Sequence, residues 1–279
     1  MCFQRMQTPV DVTAVELDAE CRAVTKWHFP QEDQGCTDVR DLEQRPLEWF
    51  QSFDLMVGGF PCKDVSSANK SGAGLEGSKS NLFFVIKELV HRVRSGGGHF
   101  LLECTDFVGK HTEDFKSVGQ LLGAWPVVLY APDVSAGYKR RAYWASFPIG
   151  IMEPKEVHPT NIMEKGRKAV WSKLSTVMAS GARSWNSAKA AVDRDGVLGP
   201  LLTVEMERQM GLDDGFTALQ GLQEEVRHRM VGNAFQANVM EHILRSWVNH
   251  VVLTRGFDST LGFPGEGPSK YASLWGDSG

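Results

Sequence analysis

Paired cysteines are missing from this 279-residue chain. The five cysteines, at positions 2, 21, 36, 62 and 104, are odd in number and widely spaced, and no two form a Cys-x-x-Cys pair. That pattern argues against a structural zinc and against a disulfide framework, and it fits a reducing, intracellular compartment. No run of 18 apolar residues occurs, so no membrane span is expected. The first residues lack the apolar core of a secretory signal, and no internal repeat is visible. A global basic field is absent too: 30 Lys and Arg stand against 34 Asp and Glu, for a net charge of −4. Any nucleic-acid surface therefore has to be a local patch. With 42% hydrophobic residues, the chain suits one large domain, or a large domain with a small appendage.

What is present begins with strand–helix alternation. Val10 to Val15 alternates as a strand ending at Glu16, and Asp18 can cap a helix through about Phe29. Asp54 to Val57 reads as a second strand. Leu82, Phe83, Ile86, Leu89, Val90 and Val93 recur at helical spacing, with Ser80 as a cap. Phe100 to Leu102 is a strand ending at Glu103, followed by a helix over about Thr112–Leu122 and strands at Val127–Tyr130 and Ala142–Phe147. Helical patterns return at Val204–Met210, Gln223–Met230 and Ala234–Val248. The alternation predicts an α/β fold with a largely parallel sheet covered by helices. Ligands gather at the carboxyl ends of such strands, which is where Glu16, Cys62 and Glu103 fall.

Cys62 is the sharpest single signal. An apolar run stops at Gly58-Gly59, and Phe60-Pro61 then presents the thiol on a turn. Glycine permits close backbone approach and proline fixes the residue before the sulfur. A thiol held rigidly past a strand end suits a nucleophile, although free cysteines are often packed as small hydrophobes. Residues 151–200 carry eight Lys and Arg against five Asp and Glu. That excess is either a solvated insertion or a phosphate-facing surface. By pattern alone, Glu103 reads equally as a strand-end carboxylate paired with a lysine, and Lys139 and Arg141 as ordinary surface charges.

In their order, the motifs resemble the cytosine-5 DNA methyltransferases, most closely the de novo type. Gly58-Gly59-Phe60-Pro61-Cys62-Lys63-Asp64-Val65-Ser66 resembles the nucleophile loop. Gly74-Leu75-Glu76-Gly77 and Leu82-Phe83-Phe84 are similar to the stretch after that loop in the de novo enzymes. Leu101-Leu102-Glu103 stands at the Glu-Asn-Val motif, and Val134 to Trp144 is similar to the Arg-x-Arg strand. Leu202 to Arg208 and Gly232-Asn233-Ala234 resemble the last two conserved blocks. The match runs from about Val10 to Trp247.

The resemblance implies a Rossmann-like methyltransferase sheet with a small target-recognition insertion. It implies methyl transfer from S-adenosylmethionine to carbon 5 of cytosine in double-stranded DNA, with the nucleotide flipped out. Cys62 would be the attacking thiolate and Glu103 the group at ring nitrogen 3, partly desolvated with a raised pKa. Arg141, supported by Lys139, would hold the base carbonyl or a flanking phosphate. The donor would be bound by Glu16 at its ribose, by Asp38, Val39 and Arg40 near adenine, by Pro61, and by the closing segment Asn233, Ala234 and Phe235. No metal is implied. A homo- or hetero-oligomer with a related methyltransferase is implied, as is a nuclear location in a eukaryote. The implied organisation is a cofactor and catalytic core over 1–148, target recognition over 149–199, a return to the core over 200–250, and a flexible tail over 251–279.

Three features depart from the family, one being that no Arg stands just before Leu202-Thr203. Cys104 stands where the family has Asn. No glycine precedes Gly35, so the opening strand and its Phe-x-Gly-x-Gly turn are missing. That strand would be central, and its absence predicts a hole in the sheet. The chain would then be a fragment, or the hole would be filled otherwise, with Val251-Val252-Leu253 as a candidate displaced strand. Two alternative readings stay open: a catalytically impaired accessory paralogue or fragment that binds DNA or a partner methyltransferase, and an enzyme of the same chemistry acting on RNA.

Overall fold

The computed structural model describes residues 1–31, 33–66, 69–179, 190–192 and 195–255. A short helix α1 (Cys2–Arg5) precedes strand β1 (Thr13–Val15). Helix α2 (Ala19–His28) begins where the Asp18 carboxylate accepts the amides of Glu20 and Cys21, satisfying two otherwise unpaired donors of its first turn. It leads to β2 (Asp33–Cys36), which pairs parallel with β1. A 3-10 turn (Val39–Gln44) and α3 (Leu47–Gln51) connect to β3 (Leu55–Gly59).

The chain continues with α4 (Leu82–Ser95), β4 (His99–Thr105), α5 (Thr112–Leu122), β5 (Val127–Tyr130) and β6 (Arg140–Ala145). Three short strands, β7 (Lys168–Ala169), β8 (Ala190–Val192) and β9 (Leu198–Pro200), form a separate antiparallel sheet. Helices α6 (Thr203–Gln209), α7 (Glu224–Asn233) and α8 (Ala237–Arg255) complete the described chain.

The main sheet has the order β3-β4-β6-β5. β3 and β4 run parallel, and β6 is antiparallel to both β4 and β5. Three of its four strands therefore point one way, and the α/β reading holds. β4 is a central strand, with Phe100, Leu101, Leu102 and Cys104 all buried. One face rests on α4 and α5 through Phe83, Ile86, Val90, Phe115, Val118 and Trp144. The other meets α8 through Val239, Met240, Ile243 and Leu244. Phe83, Ile86, Val90 and Val93 have the spacing that puts one helix stripe on the sheet. α5 stops where Gly123 takes a left-handed conformation at φ 64°.

The expected hole is present. β1 and β2 form their own two-stranded sheet, and among the described residues no strand pairs with the outer edge of β3. Val15 of β1 and Met56 of β3 nevertheless pack on one apolar cluster of Leu42, Phe50, Leu89 and Val93. The candidate displaced strand does not fill the gap: Val251, Val252 and Leu253 are helical, in the last turns of α8. Ser80 is not the cap of α4 either. Asn81 holds that position without a side-chain cap bond, and Ser80 is used elsewhere. Of the basic stretch, Arg183, Lys189 and Arg194 lie outside the described residues, as does the tail from 256 onward.

Candidate active site

The site is built where β3 and β4 end side by side. Gly59 lies in register with Glu103. A β-carbon on Gly59 would stand 3.1 Å from the Glu103 carbonyl and 3.4 Å from its Oε2, so this closeness requires glycine. Beyond Gly59 the chain buries Phe60 and turns through Pro61, leaving the Cys62 thiol exposed.

That turn is braced from three directions. Ser80 Oγ donates to the Pro61 carbonyl at 2.7 Å. Asp64 Oδ2 accepts the amides of Lys79 (2.8 Å) and Ser80 (3.1 Å). Those two backbone bonds hold the Asp64 carboxyl below the usual carboxylate range. A side chain at Gly77 would sit 2.4 Å from the Asp64 β-carbon, so the Asp64 carboxylate can reach these amides only because position 77 is bare. The buried Cys104 thiol points at the Phe60 carbonyl, 3.9 Å away. The amides of Val65 and Ser66 both return to the Cys62 carbonyl, closing a tight turn around the sulfur-bearing residue.

Glu103, Arg141 and Lys139 form the floor. Arg141 Nε meets Glu103 Oε1 at 2.7 Å, with both side chains more than four-fifths buried. The antiparallel register of β4 and β6 places Arg141 opposite Thr105, and its side chain returns to the carboxylate from there. Burial pushes the Glu103 carboxyl above the usual glutamate range, although Arg141 and Lys139 pull the other way. Lys139 is 5% exposed. Its ammonium donates to the Ala234 carbonyl at 2.5 Å. Burial, reinforced by the Arg141 charge, pulls it down to about 7, against the opposing charges of Glu103 and Cys62.

The remaining residues singled out in the sequence fall into two groups. Ala234 and Phe235 reach the site: the first through its carbonyl, the second with its ring 3.7 Å from where a Gly59 β-carbon would lie. Asn233 ends α7 and is exposed. Glu16, Asp38, Val39 and Arg40 belong to the two-stranded sheet and its flanking turns. Glu16 is exposed, and its Oε1 accepts the Asp18 amide at 2.8 Å. Asp38 accepts the Arg40 amide at 2.9 Å and faces the Arg40 guanidinium at 3.4 Å, while Val39 packs inward. Among the described residues no hydrogen bond or ion pair joins this group to Cys62, Glu103 or Arg141.

Sequence reasoning missed Asp64, Ser80 and the pair Asp106–Arg140, whose charges meet at 2.6 Å. Only Asp64 carried a signal, as an acidic residue two positions past Cys62 in a turn. No group of His, Cys, Asp and Glu able to hold a metal occurs among the described residues. No described helix is long and apolar enough to cross a membrane.

Comparison with known proteins shows what the chain is similar to. Residues 3–119 match the family model of the C-5 cytosine-specific DNA methylases. The Type II methyltransferase M.HgiCI of Herpetosiphon aurantiacus is 30% identical over 113 residues, 40% of this chain and 24% of that protein. The DNA (cytosine-5)-methyltransferase DRM2 of Arabidopsis thaliana is 31% identical over 94 residues, 30% of this chain and 15% of that protein. The chain thus spans about a quarter or less of the length of these curated relatives.

Solved structures extend the likeness at the level of fold. The Entamoeba histolytica methyltransferase EhMeth superposes with a TM-score of 0.70 at 10% identity, over 89% of this chain and 93% of that one. The S. pombe Dnmt2 methyltransferase does so with 0.63 at 12% identity, over 92% and 95%. Residues 3–119, which carry β1, the Cys62 turn and Glu103, are thus similar to the C-5 cytosine-specific DNA methylases, and the chain shares the fold of these solved structures.

Proposed function

We propose that the chain transfers a methyl group from S-adenosylmethionine to carbon 5 of cytosine in double-stranded DNA, through a covalent adduct with Cys62. The observation that carries this reading is the convergence of an exposed thiol on a braced turn with a buried carboxyl on the adjoining strand end. Cytosine carbon 5 is a poor nucleophile. Attack of the Cys62 thiolate at carbon 6 moves an electron pair into the ring and makes carbon 5 enamine-like. Glu103, with its raised carboxyl pKa, is suited to share a proton with ring nitrogen 3 as that charge develops. Arg141 fixes the orientation of Glu103 and offers its remaining N–H groups to the ring carbonyl. Loss of the proton from methylated carbon 5 then expels the thiolate and restores Cys62.

The residues present fit the ribose half of the donor. Glu16 projects from the end of β1 with only Oε1 engaged, leaving Oε2 for the ribose hydroxyls. Asp38, Val39 and Arg40 would flank adenine, and Pro61 with Asn233, Ala234 and Phe235 would close the catalytic side. When bound, the donor supplies an electrophilic methyl group. We read residues 1–148 and 200–250 as the catalytic core and 149–199 as the target-recognition segment.

The test is a duplex containing 5-fluorocytosine, incubated with donor and resolved under denaturing conditions. A covalent complex that disappears in Cys62→Ser supports the reading; its absence with folded protein overturns it. The open edge of β3 favours a second reading, an accessory paralogue that binds DNA or a partner methyltransferase. Calorimetry separates the two, because micromolar donor binding by this chain counts against the accessory role.

A further inference from the structure

A cleft of about 530 Å³ opens just past the end of β4 and the start of β6, lined in part by Lys70, Asp106, Val108, Gly109, Lys110 and Arg140. It draws on the same three segments that carry Cys62, Glu103 and Arg141. The loop that carries Cys62 supplies Lys70, the chain leaving β4 past Glu103 supplies Asp106 and Lys110, and β6 supplies Arg140 beside Arg141. Neighbouring strand residues face opposite ways, so Arg140 does not share the Glu103 pocket. It pairs with Asp106 at 2.6 Å and lies over the exposed ring of Tyr130 at 4.9 Å.

The charge of the cleft is not balanced from within. Asp106 is its one carboxylate, and Arg140 engages it. Lys110 donates to the carbonyl of Asn69, a neutral acceptor. Among the described residues no carboxylate pairs with Lys70 or Lys110. Gly109 leaves its side of the cleft open, since a β-carbon there would meet nothing within 4 Å. The result is an open concavity with surplus positive charge at the carboxyl ends of the strands, inside a chain whose net charge is −4.

We propose that this cleft clamps a backbone phosphate of the DNA strand next to the flipped nucleotide. The inference rests on the proposed cytosine chemistry: a base held at Glu103 draws its sugar–phosphate backbone across the strand ends, where these lysines stand. Contacts of this kind position the duplex without reading sequence. They also release condensed counterions, so affinity falls with salt in proportion to the phosphates neutralised.

The test uses the full chain and a fluorescently labelled cytosine duplex, with equilibrium binding measured between 50 and 200 mM salt. Glutamine at 110 can still donate to the Asn69 carbonyl, so Lys70→Gln/Lys110→Gln removes charge while sparing that bond. The double variant is expected to lower the slope of log affinity against log salt by about 0.9 for each phosphate no longer neutralised, equally on any duplex sequence. Lys116→Gln, on the exposed side of α5 and paired with Glu113, is expected to leave the slope unchanged. Circular dichroism and the melting transition establish that each variant is folded. Trapping of the unaltered chain on 5-fluorocytosine DNA, together with an unchanged slope in the double variant, overturns the clamp and leaves the Cys62 chemistry standing. Failure of the unaltered chain to be trapped or to bind the duplex overturns both.

Discussion

The four-stranded sheet and the two-stranded sheet handle their polar groups in opposite ways. In the four-stranded sheet, Glu103, Arg141 and Lys139 are withdrawn from solvent and tied to one another or to backbone. Around the two-stranded sheet, Glu16 and Arg40 stand in solvent and bond mainly to their immediate chain neighbours. Burial shifts protonation equilibria and raises the strength of each contact. The difference teaches that Glu103, Arg141 and Lys139 are preorganised by packing, whereas Glu16, Asp38 and Arg40 sit on local turns of a separate strand pair. Substitutions on the two sides should therefore differ in size and in kind.

The largest effect is expected at Cys62. Cys62→Ser should abolish trapping on 5-fluorocytosine DNA outright, because no other described thiol stands exposed at the strand ends. Its stability should be near that of the unaltered chain, since the side chain is exposed and surface substitutions usually stay within about 0.5 kcal/mol. A variant that still forms the adduct would place the nucleophile elsewhere.

Next comes Glu103→Gln. The amide keeps the size of the side chain but cannot hold the shared proton. A reduction of about 10²- to 10⁴-fold in the single-turnover rate is expected, with donor affinity unchanged. Equal reductions in rate and donor affinity would mean that the two sheets are coupled after all.

Lys139 sharpens the contrast through pH. Its ammonium is pulled down to about 7 in the folded chain, against about 10.4 for an ordinary lysine. Below about 7 the lysine is protonated in both states and its burial cost is fully present. Between about 7 and 10.4 the unfolded chain holds a proton that the folded chain lacks, so stability rises with pH; above that range the cost is gone. Lys139→Met removes the titration. The stability difference between the two proteins, measured by denaturant unfolding, should therefore change by a few kcal/mol in favour of the unaltered chain from pH 7 to pH 10. Parallel curves would show that the amine is solvated.

Much of this architecture was legible because local pattern and tertiary need agreed. α5 begins and ends at the residues its apolar spacing indicates, and Asp18 caps α2 as its residue type suggests. The failures lie where a contact is distant in sequence. Ser80 has the composition of a helix cap, yet its hydroxyl is taken by the Pro61 carbonyl 19 residues away. β2 runs through Asp33-Gln34-Gly35-Cys36, which has no alternating apolar pattern, and is a strand because β1 offers it a ladder. Lys139 reads as a surface charge and is buried because the turn after α7 folds over it.

The smallest effect is expected at Glu16, and it tests the separation most directly. Replacing Glu16 with Ala removes the carboxylate proposed to take the ribose hydroxyls, but Asp18 still caps α2 through its own side chain. The strand pair should therefore survive. Donor affinity should fall about tenfold, which is roughly 1.4 kcal/mol, and calorimetry would read this directly. At saturating donor the rate of covalent trapping should return to that of the unaltered chain, because Glu103, Arg141 and Cys62 are positioned by a different sheet. If saturating donor does not restore the rate, Glu16 acts on the reacting centre itself, and the open edge of β3 transmits what the hydrogen-bond pattern suggests it isolates.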